Sequence, residues 1–138
     1  MWLFKKKKST DELAEEGNAL FERGNYVKAI SVWEEGLKAI DKPLNTQSEA
    51  VWFQTSIGDT FFMMGEYEKA CKYLLEAKSN LSGEGYRNPF TMMRLGQCSY
   101  ELGHKDAKEY LMRAYLLAGN DIFENDDQKY IDAIKNLI

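Results

Sequence analysis

Residues 17–29 read GNALFERGNYVKA, residues 58–70 read GDTFFMMGEYEKA, and residues 96–107 read GQCSYELGHKDA. Each stretch has a glycine inside an apolar helical pattern, a turn glycine seven residues later, and an alanine beyond that turn. A glycine inside a helix costs about 1 kcal/mol relative to alanine, so three at equivalent positions indicate a close approach of another helix. The three copies predict a repeat protein whose units bury their apolar faces by stacking on one another.

The segments around these stretches support the same repeat. Beyond each turn, small and large side chains follow at steps of four and three residues, which places them on one helical face. These triplets are Ala29, Trp33 and Gly36; Ala70, Leu74 and Ala77; and Ala107, Leu111 and Ala114. Capping boxes that begin at Ser9 and Thr46, and the pair Asn88-Pro89, predict where the first helix of each unit starts. We therefore expect three antiparallel helix pairs.

These residues, with Tyr26 and Tyr67 just after their turns, resemble the tetratricopeptide repeat family over roughly residues 10–119. The resemblance implies an all-α fold, a right-handed α-solenoid of three helix pairs closed by a C-terminal capping helix. The offsets between turn glycines are longer than the usual unit of about 34 residues, which favours irregular stacking. The predicted boundaries are 1–8 for a flexible lysine-rich N-terminus, 9–44, 45–85 and 86–120 for the helix pairs, and 121–138 for the capping helix.

Charge limits the classes of partner. Without the run from Lys5 to Lys8, the chain has 14 basic and 22 acidic residues, a net charge of −8. Nucleic-acid binding needs clustered lysine and arginine, and no cluster follows residue 8, so no nucleic-acid partner is expected. An acidic body favours a basic protein partner, although the same charge also serves solubility alone.

The rest of the sequence favours neither a membrane protein nor an enzyme. No apolar run reaches the ~18 residues that span a bilayer, and Trp2-Leu3-Phe4 precedes the lysines, the reverse of a secretion signal. We expect a cytoplasmic protein without stable membrane insertion. Cys71 and Cys98 lack CxxC spacing and are interpreted as buried apolar side chains. No metal-ligand spacing, phosphate loop or nucleophile–base pair occurs, so no cofactor and no catalysis are expected.

The resemblance implies that the first helix of each unit lines a concave groove. Large apolar side chains on such a surface are typical binding anchors, and Trp52 is favoured most because the adjacent Phe53 falls on the packing face. Core burial is the alternative for Phe21 and Phe62, and packing under the preceding connection is the alternative for Trp52. The predicted groove residues are Asn18, Phe21, Glu22, Trp52, Asp59, Phe62, Met63, Phe90, Met93, Arg94, Gln97, Tyr100 and Glu101.

Some members of the family hold the C-terminal carboxylate of a chaperone with a clamp of lysine, asparagine and arginine side chains. Asn18 and Arg94 stand at two of the matching positions, whereas Ala14, Ser56 and Phe90 occupy the other three. Because the lysines are missing, the clamp lacks the charge-assisted hydrogen bonds that hold a carboxylate. We do not expect chaperone-tail binding.

The function predicted from the sequence is non-catalytic binding of another protein or peptide in an acidic, aromatic concave groove. The acidic cluster Asp121, Glu124, Asp126 and Asp127 is either a rim for a basic partner or a complement to a helix N-terminus. Size, acidity and the closing tail also resemble small bacterial tetratricopeptide proteins encoded beside toxin genes, which leads to the hypothesis of an immunity protein that neutralises a basic toxin domain. A general peptide-binding adaptor or assembly chaperone, and a self-associating structural module such as a homodimer, are the alternatives.

Overall fold

The computed structural model describes residues 7–138, and all regular structure within that range is helical. Within the same range there are also three short 3-10 turns, at Leu44–Thr46, Asn120–Phe123 and Lys135–Leu137. Of the lysine-rich segment predicted at 1–8, the first six positions lie outside the described residues, and Lys8 forms an exposed ion pair with Glu16 at 2.6 Å. The helices are α1 Thr10–Glu22, α2 Tyr26–Ala39, α3 Ser48–Met63, α4 Tyr67–Ser79, α5 Pro89–Glu101, α6 Ala107–Ala118 and α7 Gln128–Asp132.

The first helix of each pair offers a glycine to a large side chain of the second. Trp33 of α2 is 2% exposed, and a Cβ atom added to Gly17 would overlap its indole. The other two crossings repeat this relationship, with a Cβ on Gly58 lying 2.6 Å from Cγ of Leu74 and a Cβ on Gly96 lying 2.7 Å from Cγ of Leu111. The prediction that these glycines mark close helix crossings is confirmed.

Two of the three predicted helix starts are confirmed. The Ser9 hydroxyl accepts a 3.1 Å hydrogen bond from the Glu12 amide while the Ser9 amide donates to the Glu12 carboxylate, and Asn88 accepts from two amides at the start of α5. The capping box at Thr46 is wrong. The Thr46 hydroxyl donates to the carbonyl oxygen of Pro43 at 2.9 Å, because a 3-10 turn there keeps Thr46 outside α3.

The turn glycines have the backbone conformation that the repeat requires. Gly24, Gly65 and Gly103 have φ angles of 78°, 76° and 71°, a region that side chains with a Cβ rarely enter. Each turn brings the two helices of a pair back antiparallel, so the glycines on one helix face the large side chains on the other. The predicted turn positions are confirmed.

Two apolar clusters fill the interior. The first surrounds Trp33 between α1, α2 and α3, and the second extends from α4 to the C-terminal segment around Leu74, Leu95 and Ile134. Both cysteines are buried, as predicted.

The capping helix predicted within 121–138 is shorter in the structure. Gly119 ends α6, a 3-10 turn follows, and the side chain of Asp127 accepts from the Lys129 amide, so that α7 begins only at Gln128. This C-terminal segment, residues 120–138, is anchored by three buried side chains, Phe123, Tyr130 and Ile134. Only Gln128–Asp132 are α-helical within it, and a 3-10 turn lies on either side of them in the sequence.

Candidate functional site

A pocket of about 360 Å³ opens between α1, α3 and the start of α5. Most of its lining residues belong to α1, α3 and α5, the first helices of the three pairs. We call it the N-terminal pocket, and its walls include five of the predicted groove residues: Asn18, Phe21, Trp52, Asp59 and Phe90.

Trp52 is the most accessible aromatic side chain in this pocket, with 42% of its surface exposed. Its ring meets Trp33 edge to face at a centroid distance of 5.8 Å and meets Phe53 in the same way at 5.3 Å. Such T-shaped contacts are favourable and hold the indole in one orientation. Trp52 is therefore fixed in place while one face stays open to the pocket, and the alternative of burial under the preceding connection is wrong.

Phe21 extends the aromatic wall towards the N-terminus. Its ring centroid lies 6.2 Å from that of Trp33 and 5.2 Å from that of Tyr26, and the side chain is half-buried. The Trp33 indole donates a 3.2 Å hydrogen bond to the carbonyl oxygen of Ala14, which fixes the centre of the wall. Ring contacts and this hydrogen bond therefore link Phe21 and Trp33 along one wall of the pocket.

Arg94 lies beside the pocket and contacts polar and aromatic side chains. Its Nε atom is 2.6 Å from Oδ1 of Asp59, and its Nη1 atom is 3.0 Å from Oδ1 of Asp126. Its guanidinium lies 4.4 Å from the ring centroid of Phe62 and 5.3 Å from that of Phe90. Burial alone would lower the pKa of Arg94, but the two carboxylates raise it above its ordinary value. Arg94 therefore stays charged, and its charge is matched within the protein.

The C-terminal segment covers the groove beyond Arg94. The Tyr130 hydroxyl donates a 2.9 Å hydrogen bond to Oε2 of Glu101, and Lys129 forms an ion pair with the same carboxylate at 2.9 Å. The Tyr130 ring also contacts Phe62 and Tyr100, with centroids 6.5 and 5.5 Å away. Burial, together with the bond to Glu101, raises the pKa of Tyr130. The segment thus covers the part of the groove next to Arg94, while the N-terminal pocket stays open.

No family model matches the chain, and no curated protein matches its sequence. Solved structures do match it. The first TPR of Spaghetti (RPAP3), bound to the HSP90 peptide SRMEEVD, is 19% identical over 94% of this chain and 92% of that one, with a TM-score of 0.70. The Sgt2 TPR domain from Aspergillus fumigatus is 23% identical over 93% and 80%, also with a TM-score of 0.70.

A third structure agrees with these two. The Yersinia enterocolitica type III secretion chaperone SycD, in complex with a peptide of the translocator YopD, is 17% identical over 92% of both chains, with a TM-score of 0.70. This chain has the tetratricopeptide-repeat fold. The all-α, right-handed solenoid of three helix pairs that the resemblance implied is confirmed.

Within the tetratricopeptide-repeat fold, two predicted groove residues are not accessible. Met93 and Gln97 are 2% and 0% exposed, so the prediction that they line an open groove is wrong. Met93 belongs to the buried cluster that includes Tyr130 and Ile134, and the side-chain oxygen of Gln97 accepts a 2.6 Å hydrogen bond from Arg94. The C-terminal segment contributes to the burial of Met93 through Tyr130 and Ile134, whereas Gln97 is buried beside Arg94.

The other predicted residues divide between exposed and paired positions. Asn18 and Glu22 are exposed on α1, and Met63 and Tyr100 are exposed at the margin of the covered half. Phe62 is half-buried beneath Arg94, and Glu101 is bound to the C-terminal segment. Five of the predicted groove residues therefore meet in the N-terminal pocket, whereas Arg94, Gln97 and Glu101 form contacts within the protein.

Sequence reasoning missed the part of the pocket that lies on the loop between α4 and α5. Glu84 and Asn88 line it from that loop, and Ser48 lines it from the first turn of α3. The sequence identifies Asn88 only as a helix cap, and the Gly-rich connection that contains Glu84 has no pattern that predicts a position near α3. At the base of the pocket the hydroxyls of Thr55 and Thr91 share a buried 2.9 Å hydrogen bond that joins α3 to α5.

None of the helices described between residues 7 and 138 is both long and apolar enough to cross a membrane. Over the same residues, no group of three or more histidine, cysteine, aspartate or glutamate side chains could hold a metal ion.

Proposed function

We propose that this protein is a non-catalytic module that binds a segment of another protein in the N-terminal pocket. The observation that carries the proposal is Trp52, whose ring is fixed by two edge contacts while 42% of its surface is exposed. An aromatic side chain that is already immobilised loses little conformational entropy on binding, so most of its contact energy is available for affinity. Tryptophan is also among the residues most enriched at binding hot spots.

The size of the pocket fits a short segment rather than a whole domain face. At about 360 Å³ it lies at the lower end of the range for sites that enclose small ligands or a few side chains. Because Tyr130 and its neighbours cover the adjacent surface, a bound segment would contact mainly α1, α3 and the start of α5. One or two inserted side chains, flanked by polar contacts to Asn18 and Asn88 at the margin, suit this geometry.

Proteins of the same fold support the general form of the proposal. Spaghetti (RPAP3) is solved with an HSP90 peptide, and SycD is solved with a peptide of the translocator YopD. The acidic HSP90 peptide is a poor model for a ligand of this pocket, because Arg94 is already paired with Asp59 and Asp126. We infer that the ligand here has a different charge.

The narrower form of the proposal is that the module neutralises a basic protein in the cytoplasm, such as a toxin domain, as an immunity protein does. It is supported by the charge of −8 that the chain carries outside Lys5 to Lys8, because such a field accelerates association with a basic partner. An immunity function requires tight one-to-one binding that weakens at high salt. An adaptor or assembly chaperone would instead bind several peptides with micromolar affinity.

Affinity capture with three forms of the protein tests the proposal: wild type, Trp52→Ala, and Leu116→Ala as a matched control. Leu116 is 72% exposed on α6 and does not line the pocket. Each captured protein would then be purified and titrated by calorimetry. We expect Trp52→Ala to weaken binding by about 2 kcal/mol, roughly 30-fold, and Leu116→Ala to leave it unchanged.

Equal affinities for wild type and Trp52→Ala would contradict the proposal. Sedimentation of the purified protein separates the remaining alternative, since a structural module would form a symmetric dimer without any partner.

A further inference from the structure

The predicted groove already contains one guanidinium, that of the protein's own Arg94. The Arg94 side chain is only 11% exposed and lies close to the rings of Phe62 and Phe90, with carboxylates of Asp59 and Asp126 at hydrogen-bond distance. Two carboxylates surround one cation, so the cluster has an excess of negative charge. Aromatic faces combined with carboxylates are the environment that a partly desolvated cation prefers.

The N-terminal pocket shares part of this cluster. Asp59 and Phe90 line the pocket as well as contacting Arg94. Arg94 contacts Asp59 at Oδ1, and within residues 7–138 Oδ2 has no hydrogen-bond partner. The second oxygen of Asp59 can therefore accept from a ligand without disturbing the bond to Arg94.

The remaining lining adds a second carboxylate and more aromatic surface. Glu84 lines the pocket from the loop between α4 and α5, and Trp52 and Phe21 line it from α3 and α1. Among the described residues that line the pocket, none is a lysine or an arginine. An incoming carboxylate would meet like charge here, whereas a cation with an apolar stem would meet carboxylates and aromatic faces.

We propose that the N-terminal pocket binds an arginine or lysine side chain of the partner, held by Asp59 and Glu84 and packed against Trp52. This inference rests on the proposed function and names the chemical class of its ligand. The pocket then repeats, for a side chain supplied by the partner, the arrangement that Arg94 has inside the protein. Its specificity is the opposite of that of a carboxylate clamp.

Selection from a random heptapeptide library displayed on phage tests this inference. The library is selected in parallel on wild type, Trp52→Ala, Glu84→Arg and the control Glu109→Gln, which removes one exposed carboxylate from α6, outside the pocket. Glu84 is exposed and Asp59 is left intact, so that the ion pair with Arg94 is preserved in every variant.

We expect peptides with arginine or lysine at one fixed position to be enriched on wild type and on Glu109→Gln. That enrichment should disappear on Trp52→Ala and on Glu84→Arg. In a titration with the purified wild-type protein, replacing the basic residue of the leading peptide with glutamine should weaken binding about tenfold, from loss of an ion pair and a cation–π contact. This difference in affinity between the two peptides should become smaller as the salt concentration rises.

Three results would overturn the inference. Enrichment of acidic or uncharged peptides that depends on Trp52 would leave the proposed function in place and reject the ligand class. Enrichment of basic peptides that persists on Trp52→Ala and Glu84→Arg would assign it to the acidic surface as a whole. If no peptide is enriched in a Trp52-dependent way, the inference fails, and the calorimetry of captured proteins then decides separately whether the proposed function fails with it.

Discussion

The Tyr130 hydroxyl donates a 2.9 Å hydrogen bond to Oε2 of Glu101, which attaches the C-terminal segment to the last turn of α5. Lys129 strengthens the attachment through its ion pair with the same carboxylate. This relationship divides the concave surface into a covered half and an open half. Because the C-terminal segment occupies the covered half, we propose that a partner binds in the open half, at Trp52 and the N-terminal pocket.

Stability should fall at high pH through two tyrosines, the half-buried Tyr73 and the buried Tyr130. Burial, followed by the nearby Glu34 carboxylate, raises the pKa of Tyr73 from 10.0 to about 12, and the pKa of Tyr130 is also raised. A phenol with a raised pKa holds its proton more tightly in the folded state than in the unfolded state. Its contribution to stability is therefore complete below pH 10 and is lost as the pH rises to about 12.

Thermal unfolding of wild type and Tyr73→Phe, from neutral pH to above pH 10, measures this effect. We expect the melting temperature of Tyr73→Phe to decline less steeply above pH 10 than that of wild type, because phenylalanine has no proton to lose. The difference between the two proteins at neutral pH serves as the internal control for any change in packing. Parallel curves over the whole range would show that Tyr73 does not titrate as its surroundings indicate.

Removing Arg94 should be far more damaging than removing an exposed cation. Arg94→Met leaves the carboxylates of Asp59 and Asp126 partly buried without a counter-charge, a change that typically costs about 3–5 kcal/mol. Lys69→Met is the matched control, since the Lys69–Glu66 pair is exposed and 3.5 Å long and should contribute less than ~1 kcal/mol. Urea denaturation measures both values. Similar losses in the two variants would mean that Arg94 does not organise the groove.

Gly17→Ala tests the close approach of α1 and α2. Alanine favours a helix over glycine by about 1 kcal/mol, but its Cβ would overlap the indole of Trp33. Because Trp33 is fully packed and its Nε1 donates to the Ala14 carbonyl oxygen, it cannot move without losing contacts. We expect a net loss of about 1–3 kcal/mol in the free energy of unfolding.

An exposed position on the same helix provides the comparison for Gly17→Ala. Glu15→Ala changes a solvent-facing side chain of α1 and should alter the free energy of unfolding by less than about 0.5 kcal/mol. A Gly17→Ala protein as stable as wild type or more stable would show that helix propensity outweighs the steric conflict. In that case α1 and α2 would pack less closely at Gly17 than they do in the structure.

The fold could be predicted from the sequence because its determinants are local and repeated. Gly17 with Trp33 follows the same spacing as Gly58 with Leu74, and the turn glycines lie at constant distances from both. A small residue opposite a large one at each crossing leaves few ways for the helices to pack. The pattern was sufficient to predict six of the helices and the order in which they stack.

The candidate site was predicted only in part, because no periodic pattern in the sequence indicates where the C-terminal segment packs. Tyr130 and Ile134 lie on one side of a short helix, which indicates that they are buried but not which surface they cover. The structure places them over Met93, and the pairing of Asp126 with Arg94 joins residues 32 positions apart. Trp52 was predicted as exposed because Phe53 had to take the packing face, a local argument that needed no tertiary information.

Fluorine NMR of protein labelled with 5-fluorotryptophan tests the central claim most directly. The chain has three tryptophans, Trp2, Trp33 and Trp52, whose resonances can be assigned by replacing each with phenylalanine. The labelled protein would be titrated with the partner recovered by wild type, or with the leading basic heptapeptide. We predict that the Trp52 resonance shifts in proportion to the bound fraction, because its exposed face becomes covered. Saturable binding detected by calorimetry under the same conditions, with the Trp52 resonance unmoved, would contradict the account.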